Sequence, residues 1–308
     1  MDPRHTRVAV LMGGWSAERE VSLTSGRECA QALRKAGFED VTEIDVQRDI
    51  ASVLGDLKPD AAFNALHGKW GEDGHVQGIL ETLQIPYTHS GVLASALAMD
   101  KQRAKAVFKQ AGIPLAESKV VDLERAAREH PMPLPYVLKP VSEGSSFGVH
   151  ILDENCNGPA TSILDERDYF GDKVMVERFI PGRELTCAVM GDVALGVIEI
   201  QPASGWYDYH AKYGEGGSVH VLPAEIAPEI YRKVQRFSLL AHEALGCRGV
   251  SRADFRYDDR GEGELILLEV NTQPGMTPTS LVPELAQEAG HSFPELVRWM
   301  VEDASCNR

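Results

Sequence analysis

The most constraining feature of this chain lies near its C-terminal end. Four apolar residues, Leu265-Ile266-Leu267-Leu268, run without a break into Glu269, Val270 and Asn271, and then into a loop rich in Gly, Pro, Thr and Ser. A strand that greasy belongs in a core, and a carboxylate buried there without a partner is costly. The end of this strand must therefore leave the core, for a polar site or an exposed edge. Strand side chains alternate faces, so Leu265, Leu267, Glu269 and Asn271 are expected to share one. The preceding segment, residues 250–257, places Arg252, Asp254 and Arg256 together by the same rule. Residues 258–263 form a hairpin turn between the two. A turn centred between Gly261 and Glu262 sets Asp254 opposite Glu269, and a slip of one residue would send it to the other face. Two carboxylates and an amide oxygen make an all-oxygen donor set suited to Mg²⁺ or Mn²⁺. The plain alternative is an exposed edge whose acids pair with Arg252 and Arg256.

The bulk numbers narrow the function. The chain has 308 residues, 43% hydrophobic and 25% charged, enough for two or three domains. A net charge of −15 argues against broad binding to nucleic acid or to anionic membrane surfaces, while leaving room for a local basic pocket that takes a small anion. Five scattered cysteines without a C-x-x-C pair are expected to be reduced thiols. No apolar run reaches the ~18–20 residues of a membrane span. The N-terminus passes straight into a strand and the Gly13-Gly14 turn rather than a signal peptide. A soluble, cytoplasmic protein is the expectation.

Along the chain, strands are expected at residues 7–12, 41–46 and 60–66, separated by a helical pattern reaching residues 36–37. A helix is expected at 74–83 and an extended stretch at 85–91. Strands separated by helices indicate a parallel α/β layer. The pattern then changes. A helix over 101–112 stops at Gly112, and strands follow at 117–121, 136–140, 148–152 and 173–179, a small α+β region. The last part opens with a hairpin across Gly191-Asp192, continues through the polar segment 204–217, and reaches the clearest helix, 227–245. There Ile230, Val234, Phe237, Ala241 and Ala244 recur at helical spacing. Two more helices are expected near 281–289 and 293–304. The boundaries expected from this pattern are 1–95, 96–183 and 184–308.

Two further stretches carry chemistry. VLKPVSEGSSFGV places Lys139 at a strand end, ahead of a loop containing Gly144, Ser145, Ser146 and Gly148. Small residues let backbone N–H groups approach phosphate oxygens, and Lys adds a compact positive charge. A simple hairpin turn would have similar composition. VMVERFIPGRELT then puts Glu177 at a strand end and Glu184 just past a Pro-Gly turn. Such a hinge offers backbone groups to a purine edge and a carboxylate to ribose hydroxyls; the alternative is a hairpin with exposed acids.

Taken together, the lysine strand with its glycine-rich loop, the Glu-bearing hinge and the R-x-D…E-x-N pair resemble the ATP-grasp fold. The sequences GGWSAEREVSL, ALHGKWGEDG, MDK, KPVSEGSSFGV, YDYHAKY, SRADF and LEVNTQPGMTPTSLVP occur in the order found in D-alanine–D-alanine ligases and span Gly13 to Pro283. The resemblance implies a multidomain α/β and α+β protein, an ATP-grasp fold behind an N-terminal parallel α/β domain. It implies ATP between the central and C-terminal parts, with Lys101, Lys139, Ser145, Ser146 and Lys212 at the phosphates. Glu177, Arg178, Ile180 and Glu184 would serve adenine and ribose; Arg178 stands where members often have Lys. Asp254, Glu269 and Asn271 would hold two Mg²⁺ (or Mn²⁺) ions.

Substrate roles follow from the same resemblance. Glu18 would anchor the ammonium of the first D-alanine and join Ser145 and Tyr213 in a hydrogen-bonded triad. His67 would lie near that substrate's carboxylate. Ser280 and Lys212 would hold the carboxylate of the second D-alanine, and Arg252 with the Gly275 N–H would stabilise the oxyanion. Residues 204–217 would form a lid, and Tyr213 favours an amine as the second nucleophile. The expected product is D-alanyl-D-alanine for peptidoglycan precursors, made by a homodimer. Glu18 also suits a plain helix start, where the dipole favours acids, and a lone His is more often structural. The rivals are an ATP-grasp ligase that uses D-serine or D-lactate second, and a non-catalytic nucleotide-binding protein. A nicotinamide dehydrogenase is disfavoured because G-x-G-x-x-G is lacking.

Overall fold

A computed structural model of the chain describes residues 2–144, 147–202, 217–260 and 263–307. Strands β1 (Arg7–Gly13), β2 (Asp40–Val46) and β3 (Ala61–Asn64) form a parallel sheet in the order β2-β1-β3. Helices α1 (Arg19–Lys35), α2 (Ile50–Leu57) and α3 (His75–Leu83) cover it. The extended stretch expected at 85–91 lies beside β3, but only Tyr87 pairs with it, bridging Ala62 on one side and Ser305 on the other. Helix α4 (Val92–Met99) was not legible in advance. It is a run of small and apolar residues whose Ala94 and Ala98 are buried while Leu93 is 68% exposed, so no polar stripe marks it.

Helix α5 (Lys101–Gln110) leads into a second sheet. It contains β4 (Ser118–Asp122), β5 (Tyr136–Pro140), β6 (His150–Leu152) and, after short helices α6 (Leu123–Arg128) and α7 (Arg167–Phe170), β7 (Lys173–Arg178). The order is β4-β7-β5-β6, all antiparallel. The third sheet, β10-β9-β8-β11-β12, joins β8 (Arg183–Met190), β9 (Val193–Pro202), β10 (Ser218–Val221), β11 (Val250–Asp258) and β12 (Glu264–Asn271). Helix α8 (Pro228–Leu245) covers one face of that sheet, and α9 (Leu281–Glu288) and α10 (Phe293–Asp303) cover the other.

Helix α8 starts with Pro at its first position and ends at Gly246, whose φ of +72° suits the left-handed cap. Its buried stripe is Ile230, Val234, Phe237, Ala241 and Leu245. Leu245 takes the place expected for Ala244, which is half-buried because the apolar row drifts with the 3.6-residue turn. On β8, Leu185 and Cys187 face α8, while Ala188 and Met190 face a second core. That second core continues through Val297 and Met300 of α10 into Leu33 of α1 and Val8 and Val10 of β1. The N-terminal layer and the large sheet therefore share one apolar cluster.

His242 of α8 is 4% exposed, meets Ser251 Oγ of β11 at 2.7 Å, and has its pKa pushed down by burial to about 4. The folded state keeps this ring neutral while the unfolded chain protonates it below about pH 6.5. Stability supplied by the neutral ring is therefore complete above that value and lost as the pH falls toward 4. Urea unfolding at pH 7 and pH 4.5 is expected to show about 2–3 kcal/mol more acid loss in the wild type than in His242→Gln.

Candidate active site

The hairpin β11–β12 sets Asp254 opposite Glu269 and Arg252 opposite Asn271, as the sequence pattern anticipates. The route to that register differs. Near the turn, Tyr257 pairs with Leu265 and Phe255 with Leu267, so the turn centres one half-step earlier than expected. An irregularity between Asp254 and Phe255 skips Leu268 and restores the Asp254–Glu269 pair. Consequently Leu265 and Leu267 do not share a face with Glu269 and Asn271, which corrects the simple alternation. Leu265, Leu267 and Val270 join the core under α8, whereas Leu268 and Glu269 line the cleft. A bulge turns a strand by one residue, and here it lets one strand serve a core and then a polar site.

The cleft lies between the β5–β7 sheet and the large sheet. Its lining includes Lys101, Lys139, Glu177, Ile180, Glu184 and Asp254. Asp254 is 8% exposed and fully engaged. Arg252 donates Nε to Oδ1 at 2.8 Å and Nη2 to Oδ2 at 2.7 Å, Thr186 donates its hydroxyl to Oδ1 at 2.7 Å, and Asn271 donates Nδ2 to Oδ2 at 2.9 Å. The acid–arginine pairing considered as the plain alternative is therefore real for Arg252, but it sits inside the cleft rather than on an exposed edge. Lys101 Nζ lies 3.5 Å from Glu269 and donates to the Glu143 carbonyl at 2.5 Å.

Lys139 Nζ donates to Glu177 Oε1 at 2.7 Å, and Lys105 donates to Oε2 of the same carboxylate. Burial by itself would raise the Glu177 pKa, but the two ammonium groups outweigh it and hold the carboxyl below its ordinary value. Burial lowers the Lys105 pKa, partly offset by Glu177. Lys105 was missed by sequence reasoning; its signal was the i, i+4 spacing from Lys101, which puts both lysines on one side of α5. Arg178, beyond the hinge Glu, reaches across to Glu264 of β12 with contacts of 3.1 and 2.5 Å.

The cleft continues toward the N-terminal layer. Glu18, at the start of α1, is 7% exposed. A Cβ on Gly68 would stand 2.4 Å from Glu18 Oε2, and one on Gly144 would stand 3.4 Å from it. Only a residue without a side chain fits at Gly68, whose φ is +70°. The glycine-rich loop thus reaches Glu18, and Lys69 of the N-terminal layer pairs with Glu143 of that loop at 2.5 Å. His67 is 5% exposed between Glu72 (3.2 Å) and Ser25 (3.2 Å). Burial depresses its pKa, but Glu72, with Glu18 and Gln273, more than offsets this, and the net shift is upward.

Past β12, Gln273 accepts from Asn64 at 2.6 Å and donates to the Leu66 carbonyl, which fastens this loop to the N-terminal layer. A Cβ on Gly275 would stand 3.3 Å from Ser280 Oγ, so these two positions adjoin. Ser280 precedes α9, and its hydroxyl accepts from the Thr277 N–H at 3.0 Å. Ser145, Ser146, Lys212 and Tyr213 lie outside the described residues, as does nearly all of the segment expected as a lid. Among the described residues no helix is long and apolar enough to cross a membrane.

Comparison with known proteins agrees along the whole chain. Residues 51–90 match the family model for the D-ala D-ala ligase N-terminus, and residues 107–302 match that for the D-ala D-ala ligase C-terminus. A D-alanine–D-alanine ligase of Sinorhizobium fredii is 64% identical over 302 residues, 98% of each chain. One from Parvibaculum lavamentivorans is 65% identical over 303 residues, again 98% of each. The crystal structure of the D-alanine–D-alanine ligase from Bacillus anthracis superposes with a TM-score of 0.81 at 32% identity, covering 97% of each chain, and its complex with ATP with a TM-score of 0.80. A D-Ala:D-Ser ligase from Enterococcus faecalis gives 0.77 at 30% identity, over 97% of this chain and 99% of that one. An antiparallel ATP-grasp pair of sheets behind a parallel layer, relatives this similar at full length, and a cleft lined by lysines and acids lead to one assignment: the chain belongs to the D-alanine–D-alanine ligase family.

Proposed function

We infer that this protein uses ATP to join two D-alanine molecules into D-alanyl-D-alanine, a building block for peptidoglycan, in the cytoplasm and as a homodimer. The observation that carries this reading is the convergence of Lys101, Lys139, Glu177, Glu184, Asp254 and Glu269 on one cleft that runs on to Glu18. A carboxylate is a poor electrophile, so the first D-alanine must be activated. Its oxygen attacks the γ-phosphorus of ATP, ADP departs, and an acyl phosphate remains. The amine of the second D-alanine then attacks the acyl carbon, loses a proton, and phosphate leaves.

The chain's own groups serve these steps. Lys101 and Lys139 neutralise phosphate charge and keep the reactants in line. The hinge at Arg178, Ile180 and Glu184 takes the base and ribose, with Glu177 fixing Lys139 behind it. Glu18 receives the ammonium of the first D-alanine, with His67 near its carboxylate. Arg252 and the Gly275 N–H face the oxyanion of the tetrahedral intermediate. Ser280 receives the second substrate's carboxylate, and Lys212, Ser145, Ser146 and Tyr213 complete the enclosure, which protects the acyl phosphate from water.

Asp254, Glu269 and Asn271 would hold Mg²⁺ or Mn²⁺. Asp254 and Glu269 sit opposite each other across the hairpin, with the Asn271 amide beside Asp254, and two carboxylates with one amide oxygen would leave coordination places for nucleotide phosphates, as Mg²⁺ prefers. The ions supply charge neutralisation to the transferring phosphoryl group.

The test is phosphate release from ATP with D-alanine, L-alanine or no amino acid, with the product identified. Release driven by D-alanine, yielding the dipeptide, is expected. Release without D-alanine dependence would overturn the reading. The likeness to a D-Ala:D-Ser ligase makes D-serine and D-lactate necessary second arms: a mixed product formed in preference to the D-alanine dipeptide would reassign the second substrate.

A further inference from the structure

Arg256 is a buried charge that the steps above do not use. Arg256 sits two residues beyond Asp254 on the same face of β11, is 8% exposed, and lines the cleft. Its guanidinium does not face the phosphate end. Nε donates to the Ile180 carbonyl at 3.1 Å, Nη2 donates to the Gly182 carbonyl at 2.8 Å, and Nη1 meets Glu184 Oε2 at 3.3 Å. All three acceptors belong to the segment that leaves β7 and enters β8. That segment presses against β11 at a second point: a Cβ on Gly182 would stand 2.2 Å from the Tyr257 carbonyl. Ile180 is 3% exposed and packs with Ile266 of β12, one residue ahead of the Leu267–Leu268 break in register.

We propose that Arg256 is a positioning residue for the nucleotide, a clamp that fixes the hinge at Ile180–Glu184 relative to Asp254 and Glu269. The inference rests on the reading of the cleft as an ATP site. The physical reason is economy of geometry. A nucleotide spans the cleft from base to phosphates, so the two ends must be held at one separation. Arg256 shares a strand with Asp254 and grips the hinge with a planar fork of donors, which has less freedom than a Lys would. Without it, the carbonyls of buried Ile180 and of Gly182 lose charged donors, and the hinge is no longer tied to β11 by this fork. The groups at Arg252, Glu18 and Gly275 are untouched by this movement, so the chemical step is left intact.

The experiment compares wild type, Arg256→Met and Arg256→Lys by steady-state kinetics with D-alanine, varying ATP and separately GTP. The expected result for Arg256→Met is a KM for ATP raised about tenfold or more, kcat within about twofold, KM for D-alanine unchanged, and a smaller preference for ATP over GTP. Arg256→Lys, which restores one donor and the charge, is expected to recover part of the KM and of the base preference. A general loss of packing would lower kcat and active fraction without narrowing the ATP-to-GTP ratio. An unchanged KM and ratio, or a fall in kcat alone, would overturn the proposal. If Arg256→Met does not fold, the Lys variant alone decides: a KM for ATP and an ATP-to-GTP ratio equal to those of the wild type would overturn it. A wild-type protein without D-alanine-dependent ATP turnover would instead refute the functional reading itself, before any variant is compared.

Discussion

Glu269→Gln is expected to lower D-alanine-dependent phosphate release on the order of 10³-fold while leaving the protein folded. The substitution keeps the shape of the side chain and removes one negative charge from a cleft proposed to hold cations against ATP. Glu269 is 29% exposed at its side chain and faces Lys101 across 3.5 Å, a distance at which the neutral amide costs little folding energy. Asp254→Asn would be a poorer probe, because Asp254 accepts from Arg252, Thr186 and Asn271 at once. Breaking that buried pair costs stability as well as activity, about 3–5 kcal/mol where an uncompensated charge is left behind. Glu269→Gln separates the two effects. Its thermal midpoint is expected to stay within about 2 °C of the wild type. Full activity in the variant would remove Glu269 from the metal site.

The second large effect is expected at Glu177. Glu177→Gln leaves Lys139 and Lys105 facing each other without their shared counter-charge, in a site where Glu177 is 3% exposed and Lys105 is 7% exposed. Stability is expected to fall by about 3–5 kcal/mol at pH 7, and ATP affinity with it, because Lys139 loses the group that aims it. The pH dependence fixes the sign. Glu177 titrates lower in the folded protein than in the unfolded chain, since the two lysines outweigh burial. Its contribution is therefore complete above the ordinary carboxylate value, about pH 4.3, and is lost as the pH falls through the lower folded value. The gap in urea midpoint between wild type and Glu177→Gln should narrow below about pH 4. A gap that widened toward acid would contradict the ion-pair account.

What could be read beforehand follows from where each signal resides. The strands and helices around the site announced themselves through alternation, β-branched runs and Gly or Pro stops, as β5 and α8 do. The Asp254–Glu269 pairing was also anticipated, but the turn lies half a step earlier than expected, and the skipped Leu268 cancels that offset. A bulge has no signature in composition, so the opposite facing of Leu267 and Glu269 could emerge only from the pairing itself. Helix α4 stayed hidden because its exposed side, Val92, Leu93 and Ala96, is as apolar as its buried side and carries no polar face. Lys105 and Arg256 were visible as charges, but their partners are 72 and 74 or 76 residues away, at Glu177, Gly182 and Ile180. Contacts that distant are set by tertiary packing, and no local pattern encodes them. The approach of Gly144 to Glu18 is of the same kind.

The most direct measurement is the anomalous scattering of Mn²⁺ in crystals grown with ADP and a non-hydrolysable mimic of the acyl phosphate. Manganese peaks within coordination distance of Asp254, Glu269 and Asn271, with the base against Ile180 and the phosphates between Lys101 and Lys139, are the expected result. A nucleotide bound elsewhere, or manganese that avoids these three side chains, would contradict the account.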